Sequence, residues 1–170
     1  IPWLTPRLGR RRSWLLLSQV VIMAGLVGMA LNDPSQVLGP LVACALAVAF
    51  ASATQDIALD AYRIESAEVN AQAALAASYQ TGYRLAMIWA GAGVLWIAAR
   101  AQGAETTGYA QAAWQTAYLV MAVSLLPGMW MVLGSPEPVP APMKPARNVA
   151  EWVQGALVDP FADFWRRYRW

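Results

Sequence analysis

The chain has 170 residues, of which 58% are hydrophobic and 13% are charged, and its formal net charge is +2. Soluble domains carry about 25% charged residues, so this composition indicates a protein solvated largely by lipid, and the small net charge gives no reason to expect nucleic-acid binding. Because there is no histidine and only one cysteine, the sequence excludes an imidazole relay, an intrachain disulfide and a thiolate metal cluster, and we expect neither metal nor cofactor.

Four apolar segments are each long enough to cross a bilayer, which takes about 20 helical residues. Pro127 is expected to kink the fourth segment. Small residues such as Gly25 and Gly28 predict close contact between helices, with Cys44 as a packing residue. A soluble helical core would account for one such segment but not for four in succession. The predicted fold is all-α, a polytopic membrane helix bundle with spans at residues 14–31, 37–62, 78–99 and 112–133.

Lysines and arginines are concentrated on one side of these four spans. Ten of the twelve lie before the first span, directly after the second, or in the C-terminal tail. Arg100 alone lies in the opposite loops, and Arg84 lies inside the third span. By the positive-inside rule, residues 1–13 form a cytoplasmic basic loop and the tail is cytoplasmic as well.

Residues 135–170 are expected to leave the membrane. The prolines of "SPEPVPAPMKP" predict an extended linker. Asn148 is expected to cap one short helix and Asp159 a second, amphipathic one with Pro160 in its first turn. That second helix either lies in the membrane interface or leads into a further span. Since the chain starts without methionine and ends on basic and aromatic residues, we expect it to be a piece of a longer polypeptide.

The stretch "ATQDIALDAYR" places charges at the end of the second span. Asp56, Asp60 and Arg63 share one helix face, where the two carboxylates repel unless a cation or a proton neutralises one of them. Arg63 is expected to pair with Asp60, and Arg84 is the best candidate partner for Asp56. Ionisable groups inside a membrane are functional candidates. Three interpretations stay open: a fixed ion pair between two helices, a substrate or proton site, or a helix end in headgroup water.

Polar side chains also occur inside the spans, and together they favour a cavity suited to a hydroxyl-rich solute. Taken singly, each is better explained by a hydrogen bond between helices. A membrane enzyme would have to use Asp56, Asp60 and Arg84, and no nucleophile stands beside them, so we do not expect an enzyme. The polar candidates are Gln19, Gln55, Tyr79, Gln80, Tyr83, Gln115 and Tyr118.

Four short motifs stand out: "LGRRR" at 8–12, "SATQDIALDAYR" at 52–63, "GYRLAM" at 82–87 and "SPEP" at 135–138. Together they resemble the AmpG family of muropeptide permeases, within the major facilitator superfamily, and acetyl-CoA transporters share part of the pattern. The resemblance implies that the four spans are helices three to six of the N-terminal half of a major facilitator fold. The sequence departs from the superfamily pattern in two places. No acidic residue precedes Arg7, and Asp56 and Asp60 stand where an arginine motif is usual.

The resemblance implies a transporter of the bacterial inner membrane that imports anhydro-muropeptides into the cytoplasm for cell-wall recycling. These fragments bear N-acetylglucosamine and anhydro-N-acetylmuramic acid. Proton coupling is expected, and the implied partners are the substrate, protons, the lipid bilayer and the C-terminal half, with no nucleic acid. The alternatives are a related transporter of acetyl-CoA or another small solute, and a membrane subunit whose charges are only structural. The implied residues are Asp56, Asp60, Arg84, Gln55, Tyr83 and Tyr79 for substrate and protons, and Arg10, Arg11, Arg12 and Arg63 for conformational change.

Overall fold

The computed structural model describes residues 8–102, 108–138 and 154–168. Its first part contains four helices that are each long and apolar enough to cross a membrane. A short 3₁₀ turn precedes the third helix, and the described residues contain no strand. The prediction of an all-α membrane helix bundle is confirmed. The four helices are α1 Arg10–Leu31, α2 Leu38–Ser66, α3 Gln72–Gln102 and α4 Gln111–Gly134.

The helices continue beyond the predicted spans at their polar ends. α1 begins at Arg10, so three arginines that were expected in a loop lie in its first turn. α2 continues to Ser66, and α3 begins at Gln72. An apolar run marks only the part of a helix that crosses hydrocarbon, whereas backbone hydrogen bonds and side-chain partners extend the helix into the headgroup region. Residues 1–7 lie outside the described part of the chain.

α1 is the central helix, because it packs along α2 and also against α4. Two glycines bring α1 and α2 close together. A Cβ atom added to Gly25 would lie 2.5 Å from Cγ2 of Val48, and one added to Gly28 would lie 2.6 Å from Sγ of Cys44. Membrane helices pack through small residues in this way, so the structure places these glycines and Cys44 in the packing roles predicted for them.

Two of the helices are interrupted. α4 breaks at Ser124 and Leu125, and Pro127 stands in the first turn of the segment that continues it. Proline lacks an amide hydrogen and crowds the preceding turn, which explains the predicted kink. α3 contains a π-helical turn at Trp89–Gly93, and its last part, Val94–Gln102, packs against the start of α4.

The C-terminal unit is described for residues 154–168. Most of the predicted linker and the helix expected at Asn148 therefore lie outside the described residues. A π-helical turn, Gln154–Val158, leads directly into α5, Asp159–Tyr168. The prediction that Asp159 caps this helix is wrong, because the chain is already helical before it.

Candidate functional site

The first turn of α1 carries two arginines that bind one carboxylate at the end of α2. Arg11 contacts Glu65 twice, from Nε to Oε2 at 2.9 Å and from Nη2 to Oε1 at 2.5 Å. Arg10 adds a contact of 3.1 Å to the same Oε1. Bidentate pairing of this kind sets orientation as well as distance. Glu65 thus fastens the end of α2 to the start of α1.

A second carboxylate, Glu137, lies beyond the end of α4 and caps the same turn of α1. Its oxygens accept hydrogen bonds from the backbone amides of Arg11 at 2.7 Å and Arg12 at 3.2 Å. The start of a helix has unpaired amides and a partial positive charge, and a carboxylate satisfies both. Gly9 has a φ of 88° and leaves the necessary space, since a Cβ atom there would collide with the side chain of Glu137.

Arg12 and Tyr62 add contacts to the end of α4. Arg12 donates from Nε to the carbonyl of Val132 at 2.9 Å and from Nη2 to the next carbonyl, that of Leu133. The last carbonyls of a helix are unpaired and carry a partial negative charge, which suits a guanidinium group. Tyr62 donates to the carbonyl of Pro136 at 2.7 Å, so one end of α1, α2 and α4 is tied together. The charge cluster is defined as Arg10, Arg11, Arg12, Glu65 and Glu137.

Sequence reasoning identifies the arginines of the charge cluster but not its carboxylates. Glu65 stands where the polarity indicates the end of a span, and Glu137 stands in a proline-rich stretch that indicates a linker. The sequence offers one electrostatic signal for these partners. Arginines in the first turn of a helix, which already carries a partial positive charge, need acidic side chains nearby. Which carboxylates supply that charge follows only from the packing of the helices.

Asp60, Arg63 and Tyr79 form a second polar group where α2 approaches α3. Nη2 of Arg63 lies 3.3 Å from Oδ1 of Asp60, which is the predicted pair. The guanidinium carbon of Arg63 also lies 5.5 Å from the ring centroid of Tyr79, a cation–π contact. Tyr79 in turn stacks with Tyr83 at a centroid distance of 6.5 Å. Tyr79 therefore connects α3 to the charged face of α2.

Asp56 and Arg84 are not brought together. Neither forms an ion pair with any of the residues that the structure describes. Arg84 is exposed on the first part of α3, Gln72–Ile88, where no side chain is buried. Asp56 is exposed and lies within electrostatic reach of Tyr79. The predicted pairing of Asp56 with Arg84 is thus absent from this conformation. Among the described residues Asp60 pairs with Arg63, whereas Asp56 has no cationic partner.

Gln19 and Gln55 line a cavity of about 310 Å³ between α1, α2 and α4. Gln19 is 6% exposed, and the amide oxygens of both glutamines are buried without a hydrogen-bond partner among the described residues. Such atoms are rare, because a buried polar atom left unpaired costs about 1–3 kcal/mol. Arg12 and Tyr62 line the same cavity, so it borders the charge cluster. The two free acceptors are suited to hydrogen bonds from a hydroxyl-bearing solute or from water.

The predicted site residues therefore separate into distinct places. Gln55 lines the cavity, Asp60 with Arg63, Tyr79 and Tyr83 forms the polar group between α2 and α3, and Arg84 stands apart. Within the described ranges, no three side chains of the types that ligate metals lie together. The arrangement offers hydrogen bonding, ion pairing and proton exchange as its chemistry.

Comparison with known proteins relates these features to one group of transporters. The chain is 33% identical over 165 residues to an anhydromuropeptide permease of Escherichia coli K12, an alignment that covers 95% of the chain. It is 30% identical over 168 residues, 98% of the chain, to a putative transporter AmpG 4 of Rickettsia felis. It is also 39% identical over 126 residues, 74% of the chain, to an uncharacterized protein of Haemophilus influenzae. No model of a protein family matches it.

The chain is much shorter than these relatives. It spans 30% of the Escherichia coli permease, 38% of the Rickettsia protein and 27% of the Haemophilus protein. The alignments to the first two cover almost the whole chain, and they confirm the resemblance drawn from the four motifs. The chain is therefore similar, over almost its whole length, to a segment of proteins named as AmpG transporters or anhydromuropeptide permeases.

Proposed function

We propose that the chain is part of a secondary transporter that imports anhydro-muropeptides across the bacterial inner membrane for cell-wall recycling. The observation that carries the proposal is 33% identity over 95% of the chain to a protein named anhydromuropeptide permease. The four apolar helices and the cavity with unpaired amide oxygens support it, because a polar solute needs polar partners on its way through a bilayer. The proposed fold is that of the major facilitator superfamily, with α1 to α4 as helices three to six of the N-terminal half.

The charge cluster is proposed to stabilise one of the alternating states of the transporter. Substrate lies near the midplane between two halves that rock against each other in many transporters of this type. The side chains of the two arginine–Glu65 pairs are 16–38% exposed, so they lie close to water at one end of the bundle. Contacts that tie helix ends together favour the state in which those ends are close, and they must break in the other state.

Asp56 is the proposed proton carrier. A carboxylate within a membrane span is costly when it is charged and unpaired, so it is suited to binding and releasing a proton. Asp60 fits this role less well because Arg63 already pairs with it. Gln55 in the cavity, and Tyr79, Tyr83 and Arg84 on α3, are proposed to contact substrate.

Uptake of radiolabelled anhydro-muropeptide by proteoliposomes that contain the complete protein tests the proposal. We expect accumulation driven by an inward proton gradient, its loss on addition of a protonophore, and competition by unlabelled muropeptide but not by acetyl-CoA. If acetyl-CoA competes and unlabelled muropeptide does not, the protein would instead be assigned to the related transporters of acetyl-CoA. An absence of uptake, with protein shown to be folded and inserted, would refute the transport of muropeptides.

A further inference from the structure

A second cavity lies between helix ends that are opposite to those of the charge cluster. Its volume is about 290 Å³, and it is enclosed by the end of α1, the start of α2 and the start of α4. Apolar side chains such as Leu41 form part of its wall. The polar and aromatic side chains that line it are Asn32, Tyr109, Gln111, Trp114, Gln115 and Tyr118.

Aromatic rings provide flat surfaces in this cavity. Trp114 and Tyr118 lie one turn apart on α4, with ring centroids 6.3 Å apart and ring planes inclined by 38°. Both side chains are half-buried, so their orientation is restricted by the surrounding helices. Tyr109 stands just before α4, and partial desolvation together with the nearby charge of Asp33 raises its pKa, which keeps its hydroxyl neutral.

Three amide side chains supply hydrogen-bonding groups beside these rings. Asn32 donates from Nδ2 to the carbonyl of Gly28 at 2.7 Å, which holds its side chain in place while its oxygen can still accept. Gln111 and Gln115 lie one turn apart on α4, and neither side chain hydrogen-bonds to any residue in the described ranges. Each amide has two donor hydrogens and an acceptor oxygen.

The lining side chains that the structure describes are all uncharged. Sites for phosphate or carboxylate usually present arginine or lysine. An N-acetylated sugar ring has hydroxyl and acetamido groups that pair with amides, and a face of C–H groups that packs on aromatic rings. A volume of about 290 Å³ also lies at the lower limit of about 300–1,000 Å³ typical of ligand sites, which suits one sugar ring and not a whole muropeptide.

We propose that this cavity binds the uncharged N-acetylglucosamine ring of the transported fragment. The inference rests on the proposed transport of muropeptides. The free carboxylates lie on the peptide, because the lactyl carboxyl of the muramic acid forms the amide bond to that peptide. The N-acetylglucosamine ring, at the end away from the peptide, is therefore the part that best matches a neutral lining. Trp114 and Tyr118 contact the face of the ring, and Gln111, Gln115 and Asn32 bind its hydroxyl and acetamido groups.

Equilibrium binding to the complete protein in nanodiscs tests this site with two probes, the anhydro-muropeptide with and without its N-acetylglucosamine ring. In the unaltered protein, removal of the ring from the probe should raise Kd at least about tenfold. Trp114→Ala and Gln115→Leu should each raise Kd about tenfold for the probe with the ring and less than about twofold for the probe without it. Trp130→Ala is the matched control, because Trp130 lies on the same helix and is 78% exposed.

Equal effects of Trp114→Ala and Gln115→Leu on both probes, or no effect on either, would overturn the proposed site while leaving the transport function intact. Trp114→Phe keeps an aromatic face and should retain most of the binding. This result would show that the loss of affinity in Trp114→Ala comes from the missing ring and not from misfolding.

A labelling experiment separates the failure of this site from the failure of the transport proposal. Gln111→Cys, in a background without other cysteines, should react with a maleimide, and free N-acetylglucosamine should slow that reaction. Protection without muropeptide transport would support the sugar site and refute the transport function. Transport without protection would refute the sugar site.

Discussion

At the scale of single residues, the charged side chains differ in what neutralises them. Glu65 is held by two arginines and Glu137 by two backbone amides of the first turn of α1. Asp60 has Arg63, whereas Asp56 has no cation among the described residues. We therefore propose that Glu65 and Glu137 serve as structural contacts and that Asp56 exchanges the proton.

Asp56→Asn should lower uptake driven by a pH gradient at least about tenfold, because asparagine keeps the shape of the side chain but does not titrate. Glu68→Gln is the control, since Glu68 is exposed in the turn before α3, has no ion pair with a described residue, and is expected to leave uptake unchanged. Initial rates in proteoliposomes, with and without the gradient, measure both. Unchanged uptake by Asp56→Asn would remove Asp56 as the carrier.

Exchange of the charges at Asp56 and Arg84 tests whether they pair in another conformation. We expect that Asp56→Arg and Arg84→Asp each reduce uptake and that the double variant does not recover, because the two side chains are not paired in the structure. Recovery of uptake in the double variant would instead establish a functional ion pair between α2 and α3.

Glu65→Gln should lower the stability of the purified protein by about 1 kcal/mol, the usual size for charge-assisted hydrogen bonds that are partly open to water. Glu68→Gln is the matched control, because Glu68 is exposed nearby and its side chain has no ion pair with a described residue. Thermal unfolding of the two variants in the same detergent compares them. A similar melting temperature for both would show that the pairing of Glu65 with Arg10 and Arg11 adds nothing to stability.

At the scale of the helices, the contact between α1 and α2 depends on the absence of side chains. Gly25 and Gly28 meet Val48 and Cys44 at distances that leave no space for a Cβ atom. Dispersion forces and close backbone approach provide the packing energy in lipid, where there is no hydrophobic drive between helices. Along its apolar part, α1 therefore packs against α2 through shape, in contrast to the polar contacts at its first turn.

Gly25→Ala should destabilise the bundle by about 1–3 kcal/mol, because the added methyl group would collide with Val48, a β-branched side chain with little freedom to move. Gly82→Ala in α3 is the matched control: nothing lies within 4 Å of its added Cβ atom. It should be neutral or stabilising by about 0.5–1 kcal/mol, the helix preference of alanine over glycine. Melting temperatures that fall equally for both substitutions would contradict the close packing at Gly25.

At the scale of the whole bundle, the two ends differ in chemistry. The charge cluster lies at the end of the bundle where α1 begins and where α2 and α4 end. The opposite end contains a neutral cavity lined by aromatic and amide side chains. The predicted orientation places the charged end in the cytoplasm, because lysine and arginine accumulate on that side of a membrane. A sugar-bearing solute would accordingly meet the neutral cavity before it reaches the charge cluster.

Cysteine labelling in intact cells tests this orientation. Ser35→Cys, in the loop between α1 and α2, should react with a membrane-impermeant maleimide added from outside. Asn70→Cys, in the turn before α3, should react only after the membrane is opened. Both residues are exposed, so a difference in reactivity reports sidedness. The reverse pattern of labelling would invert the topology and the assignment of the two ends.

The sequence by itself determined the number, order and approximate limits of the membrane helices. An apolar run of about 20 residues can satisfy its backbone hydrogen bonds in lipid only by forming a helix or joining a closed barrel, and the small-residue pattern favours the helix. It also determined the pairing of Asp60 with Arg63, since residues three apart on a helix are neighbours in any fold. The motifs were sufficient to predict the relationship to the AmpG permeases, and the alignments confirm it.

Only the tertiary structure decided which distant groups meet. Glu65 and Glu137 lie 54 and 126 residues from Arg11, and local spacing carries no information about such pairs. The same holds for the separation of Asp56 from Arg84 and for the cavity with the unpaired oxygens of Gln19 and Gln55. These features follow from how α1 packs between its neighbours. The glycines of α1 leave space for side chains of α2, and this fit of shapes decides which helix faces approach each other.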